Sequence, residues 1–310
     1  MAFIRLLLAF LLLPLAACGT VAAQQPERRI AFTFDDAPLA DGPLFTGPER
    51  TRRLIEALKA GGVEQVAIFV TTGNIKDPAG EARIRAYADA GHVLANHSHS
   101  HWWLKDVTPE AYLADVDTAQ RHLARLPNVR PWFRYPYLNE APDRAKRDAV
   151  RAGLEQRRLK NGYVTVDVWD WAIANLVADA KKNGRKIDMD ALRRMYLDVV
   201  LGAITTYDRI AVDSLGRSPA HTLLLHENDL AALYADDLAA ELRKRGWKIV
   251  PPDEAFADPI AAETPDTLYL GRGRVSALAA VRGKDPDTLF DRHQDEKVLK
   301  QMFEERVISR

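Results

Sequence analysis

The chain has 310 residues, a length that suits one (β/α) barrel, typically about 250 residues, with segments to spare. Hydrophobic residues make up 47% and charged residues 28%, the balance of a soluble globular protein with room for a large core. Lys and Arg number 43 against 43 Asp and Glu, which leaves no basic footprint for nucleic acid and argues against a polyanionic partner.

In chain order, Arg5 precedes the apolar run Leu6 to Leu15 and then Ala16-Ala17-Cys18-Gly19, a secretory signal pattern too short to span a membrane as a helix. Residues 1–23 are therefore expected to be a signal peptide. Leu15-Ala16-Ala17-Cys18 resembles a bacterial lipobox, with the lipid on Cys18; cleavage after Val21-Ala22-Ala23 is the alternative reading. Cys18 is the only cysteine, so an internal disulfide is excluded. The expected address is exported, periplasmic or membrane-anchored in a bacterial cell envelope, with membrane contact only through that N-terminal lipid.

After a linker at 22–27, short β-rich runs alternate with longer helical ones, the pattern of βα repeats and a parallel sheet. Strands are predicted at 29–34, 65–70, 92–95, 131–135, 163–168, 222–225 and 247–250. Helices are predicted at 49–60, ending at Gly61-Gly62, and at 81–90, 109–126 with Thr108 as N-cap, 143–152, 189–213 and 230–245. Alternation alone does not distinguish a closed barrel from an open doubly wound sheet. Phe34 runs straight into Asp35-Asp36 with no glycine-rich phosphate loop, which removes the main support for a nucleotide-binding sheet. Residues 24–260 are expected to form one domain, and 261–310 a polar C-terminal extension with a short surface helix at 296–306.

Ligand-type residues collect where predicted strands end, the face that carries the active site in a barrel. Thr33-Phe34-Asp35-Asp36 ends the first strand with two carboxylates that cannot point the same way from extended backbone. Alone, such a pair reads first as a turn or helix cap. His97, His99 and His101 then place three imidazoles within five residues, as a metal site requires; a lone histidine is more often a satisfied core or surface group. Phe133-Arg134-Tyr135-Pro136-Tyr137 sets an arginine at a strand end, able to hold a carboxylate or to form an ordinary surface ion pair. Asp167-Val168-Trp169-Asp170-Trp171 and Leu223-Leu224-Leu225-His226 follow, each capable of a purely structural role.

Taken in this order, the five segments resemble the motifs of the polysaccharide deacetylase (NodB-homology) family, carbohydrate esterase family four, over about Ile30 to Ala255. The resemblance implies an α/β fold, a distorted (β/α) barrel of about seven parallel strands. It also implies a divalent metal, most naturally zinc with cobalt or nickel as alternatives, held by Asp36, His97 and His101. By the same resemblance Asp35 is the catalytic base, oriented by Arg134. His226 is the general acid, tuned by Asp167. The Tyr137 backbone amide holds the oxyanion, and Trp171 and Leu224 belong to the acetyl pocket. His99 is left over. Two departures stand out: Ala37-Pro38 where the family has Gly-Pro, and Leu138 where glycine is common.

The implied activity is hydrolysis of acetyl groups on an N- or O-acetylated polysaccharide such as a peptidoglycan- or chitin-type amino sugar or acetylxylan. The implied partner is that acetylated glycan. A small-molecule amidohydrolase of the same family is the nearest alternative, against which the export signal argues. A non-catalytic glycan-binding lipoprotein is disfavoured by the presence of both Asp35 and His226. Metal storage through the His cluster leaves Arg134, Asp167 and His226 unexplained.

Overall fold

The computed structural model describes residues 27–268 and 271–308. The signal segment and Cys18 lie outside the described residues. Among those described, no helix is long and apolar enough to cross a membrane.

Strand β1 (Arg28–Ala37) opens the fold and is buried almost throughout, as a central parallel strand covered on both faces must be. Helix α1 (Gly47–Ala60) follows, capped by the Thr46 hydroxyl, and then β2 (Ala67–Val70), α2 (Pro78–Asp89) and β3 (Val93–Asn96). Next come α3 (Pro109–Leu123), whose N-cap is the predicted Thr108, β4 (Val129–Phe133) and α4 (Arg144–Gln156). A two-residue β5 (Lys160–Asn161) precedes α5 (Asp170–Lys182) and the long α6 (Met189–Leu215), which Gly216 terminates at φ 74°. The remaining elements are β6 (Ala220–His226), α7 (Asp229–Lys244), β7 (Trp247–Ile249), α8 (Pro252–Ala255), α9 (Gly273–Val281) and α10 (Glu296–Arg306).

All strand pairings are parallel, in the order β5-β4-β3-β2-β1-β6, with β7 on the first residues of β1. The sheet curls into a distorted (β/α) barrel, the predicted fold. The ring is joined in an unusual way. The predicted strand at 163–168 reduces to a single bridge, Val166 to Leu223, because Thr165 and Thr222 exchange hydroxyl and backbone hydrogen bonds where a regular ladder would run. The chain thus lies along β4 through β5 and Gly162 and against β6 from Tyr163 onward, and its far end forms part of a cleft wall.

The C-terminal region differs from the expected polar extension. Val275, Leu278, Leu289, Leu299, Phe303 and Val307 belong to the same buried core as Ile30, Phe32 and Leu223. Residues 273–281 form a helix that the polar surroundings concealed, and its buried arginine, Arg274, bonds to the carbonyl oxygens of Ile260 and Ala261.

Candidate active site

β1 and β6 deliver the first two groups together. Asp35 sits opposite His226 in the parallel register, so a carboxylate and an imidazole emerge side by side at the same strand ends. Arg134, just beyond β4, is almost fully buried; its Nη1 lies 2.7 Å from Asp35 Oδ1 and 2.8 Å from Thr33 Oγ1, and its Nε donates to the Gly162 carbonyl at 2.7 Å. The guanidinium also stacks over Phe69, 3.8 Å from the ring centre. A charge-assisted bond in such a dry setting holds one oxygen of Asp35 rigidly.

Asp36 turns away from Asp35 by adopting φ 69°, a left-handed conformation in which Asp is tolerated better than most residues. Its Oδ1 lies 3.2 Å from His101 Nε2 and 3.5 Å from His97 Nε2. The histidines come from a tight turn after β3, with φ 69° at Ser98 and 54° at His101. Asn96 and Asp115 shape that turn: Asn96 Oδ1 accepts from the Ser98 N–H, and Asp115 Oδ2 from the N–H groups of both His99 and Ser100. Neither residue was marked in the sequence, since a buried Asp on α3 looks there like any helix carboxylate. His99 points elsewhere, its Nδ1 on the Thr72 hydroxyl at 3.0 Å.

The donor set suits a metal ion. Asp36, His97 and His101 offer one carboxylate oxygen and two imidazole nitrogens within 4.8 Å of one another. His97 Nδ1 donates to the Arg134 carbonyl at 2.9 Å, which fixes the tautomer and directs the Nε2 lone pair inward. Burial pushes the His97 imidazole down to about 3, so it stays neutral as a ligand must.

The partner of His226 differs from the expected one. His226 Nδ1 binds Asp170 Oδ1 at 2.7 Å, while Asp170 Oδ2 accepts from the His226 backbone N–H and from Asn228 Nδ2, both at 2.9 Å. Asp167, expected to tune His226, instead takes its hydrogen bond from Gln294. The reason is the unpredicted α5: it begins at Asp170, so the carboxylate of its first turn is fully buried against His226 while Asp167 stays on the preceding segment. Burial alone would lower His226, but the Asp170 charge and hydrogen bond outweigh it and raise the imidazole to about 10. It is a cation at neutral pH, with Nε2 available to the cleft.

Tyr137 stands at φ 58° in the short 3₁₀ turn Pro136–Leu138, where early N–H groups lack intrahelical partners. Its ring is 51% exposed, meets His101 edge-on at 4.7 Å and stacks on Trp103 at 4.9 Å, forming an aromatic rim. The opposite wall carries Trp169, Trp171, Leu224 and Asp167.

Residues 22–156 match the polysaccharide deacetylase family model. The match spans less than half of the chain, and over that stretch the chain is similar to this family. The match contains Asp35, Asp36, His97, His101 and Arg134; Asp170 and His226 lie beyond it and are placed by geometry alone. Among solved structures, the chain is similar to the carbohydrate esterase family four pseudoenzyme BA3943 from Bacillus anthracis, in a mutant with restored activity (18% identity, 74% of this chain and 68% of that one, TM-score 0.51). It is also similar to the peptidoglycan deacetylase PdaC from Bacillus subtilis (20%, 73% and 88%, TM-score 0.48). A family 4 carbohydrate esterase from Streptomyces lividans in complex with acetate matches at 19% (74% and 95%, TM-score 0.49). At such identities the likeness to BA3943 is one of fold. No curated protein matches the chain.

Proposed function

We propose that this chain is a metal-dependent deacetylase that removes acetyl groups from a polysaccharide of the bacterial cell envelope, to which an N-terminal signal exports it. The observation that carries the reading is the pairing of opposite roles around one cluster: an Arg134-held carboxylate, Asp35, and an Asp170-held cation, His226, beside the three donors Asp36, His97 and His101. The donor chemistry favours zinc, with cobalt or nickel acceptable. When bound, such an ion polarises an acetyl carbonyl and makes water a better nucleophile at neutral pH.

The chain's own groups account for the proton movements. Asp35 removes a proton from the attacking water, its Oδ2 facing the cluster 3.5 Å from His97 Nε2. The Tyr137 N–H offers a hydrogen bond to the oxygen on which negative charge develops, a contribution of about 3 kcal/mol for one well-placed donor. His226 gives its proton to the departing amine or hydroxyl, and acetate leaves. The exposed Trp103–Tyr137 rim suits the apolar faces of sugar rings and supports a glycan over a small amide.

The test is acetate release from N-acetylchitooligosaccharides, peptidoglycan and acetylxylan, by zinc-loaded protein and after chelation. Release that chelation abolishes is expected; zinc-loaded protein inactive on all three overturns the reading. His97→Ala should lose both bound metal and turnover, whereas His99→Ala should keep its metal, as read by elemental analysis. Depletion of metal in His99→Ala would mean that the donors are misassigned.

Asp170→Asn separates the acid from the rest of the site. With the counter-charge gone, burial lowers His226 from about 10, and the alkaline limb of the kcat/KM profile moves down by more than one pH unit. A raised histidine pKa keeps the proton-donating form below it, so the variant's loss should be at least about tenfold greater at pH 9 than at pH 6. An unmoved limb excludes His226 as the acid.

A further inference from the structure

Asp167 lost its expected role to Asp170, yet it remains a buried carboxyl, 4% exposed, on the cleft wall beside Trp169, Trp171 and His226. Gln294 from the C-terminal region holds it. The Gln294 carbonyl oxygen accepts from the Tyr207 hydroxyl at 2.9 Å and the Asp291 N–H at 3.3 Å, which forces the NH2 end toward Asp167, where it meets Oδ2 and, at 3.5 Å, the backbone oxygen. Oδ1 accepts no hydrogen bond from the described residues, and no basic side chain among them comes within ion-pair distance of the Asp167 carboxylate. A costly buried carboxyl is thus anchored by one oxygen and left with the other to spend at a cleft wall, without a place in the proton transfers.

We propose that Asp167 is a sugar-binding residue that hydrogen-bonds a hydroxyl of the glycan unit being deacetylated, with the C-terminal region, through Gln294, holding it in position. The inference rests on the deacetylase reading above and adds a contact on the sugar to those on the acetyl group. A hydroxyl both donates and accepts, and so does a carboxyl that shares its time between ionised and protonated forms. Burial brings Asp167 to that condition near neutrality by raising it to about 7, against the opposing charges of Arg272 and His226. The two flanking indoles, tilted at 5.3 Å from each other, supply apolar surface for the rest of the ring.

The experiment compares zinc-loaded wild type, Asp167→Asn and Gln294→Leu on an N-acetylchitooligosaccharide and on an aryl acetate, which has no sugar. Both variants should lose kcat/KM on the glycan by at least about tenfold more than on the aryl acetate, mostly through KM, the worth of about one hydrogen bond. Equal losses on both substrates, or none on either, overturn the proposal, since a mere buttress of His226 affects every acetyl donor alike. Calorimetric binding of the deacetylated oligosaccharide gives a readout without turnover: Asp167→Asn should bind it several-fold more weakly than wild type. Equal affinity, or a wild type that binds no glycan, overturns the sugar contact. Intact binding without acetate release overturns the deacetylase reading instead.

Discussion

Asp35→Asn is expected to lower kcat by about 10²- to 10⁴-fold while bound metal stays near one ion per chain. The amide is nearly isosteric and can still accept from Arg134 Nη1 through its carbonyl oxygen, so the strand end keeps its geometry. It cannot take a proton. The three metal donors are other residues, and elemental analysis should therefore not distinguish the variant from wild type. One secondary cost is foreseeable: Arg134, almost fully buried, loses its counter-charge, and the variant should melt at a lower temperature. Acetate release equal to that of wild type would refute the base assignment.

The largest stability effect is expected at a residue with no part in the chemistry. Glu227 follows His226 and is fully buried, receiving Arg83 Nη2 at 2.8 and 2.9 Å, the Tyr87 hydroxyl at 2.8 Å and the Leu39 N–H at 2.9 Å. Arg50 joins the cluster, bonding Asp229 at 3.1 Å and the carbonyls of Leu39 and Ala40. Two arginines and two carboxylates thus balance in the dark beneath the loop that follows Asp36. Glu227→Leu leaves Arg83 buried without its partner and should cost about 3–5 kcal/mol, measured by denaturant unfolding at pH 7. A loss below about 1 kcal/mol would mean that water replaces the carboxylate easily and that the cluster is not sealed.

Much of the site was legible because its residues sit at ends of continuous apolar runs. Phe34 to Asp35, Val93 to His97 and Leu223 to His226 each read as a buried strand delivering polar groups at one end, and register then brings them together. The choice between Asp167 and Asp170 was not legible. Both lie within one short motif, and only the start of α5 decides which carboxylate reaches His226; Ala172, Ile173, Val177 and Ala180 at helical spacing were the available signal for that helix. The Arg50–Arg83–Glu227–Asp229 cluster escaped for a different reason. Each member is an ordinary charged residue in its own segment, and their partnership exists only across the fold. The C-terminal region misled by dilution, since its core residues are separated by polar ones and no window looks apolar.

The placement of Gln294 also ties the cleft to the last part of the chain. The strand ends bearing Asp35, His97, Arg134 and His226 all leave the ribosome before the helix and turn that carry Val275 and Gln294. The wall that grips Asp167 thus comes from the last part of the chain, and a fragment stopped near residue 260 would expose the apolar bed on which Leu278 and Phe303 rest. Completion of the cleft and completion of the fold are one event.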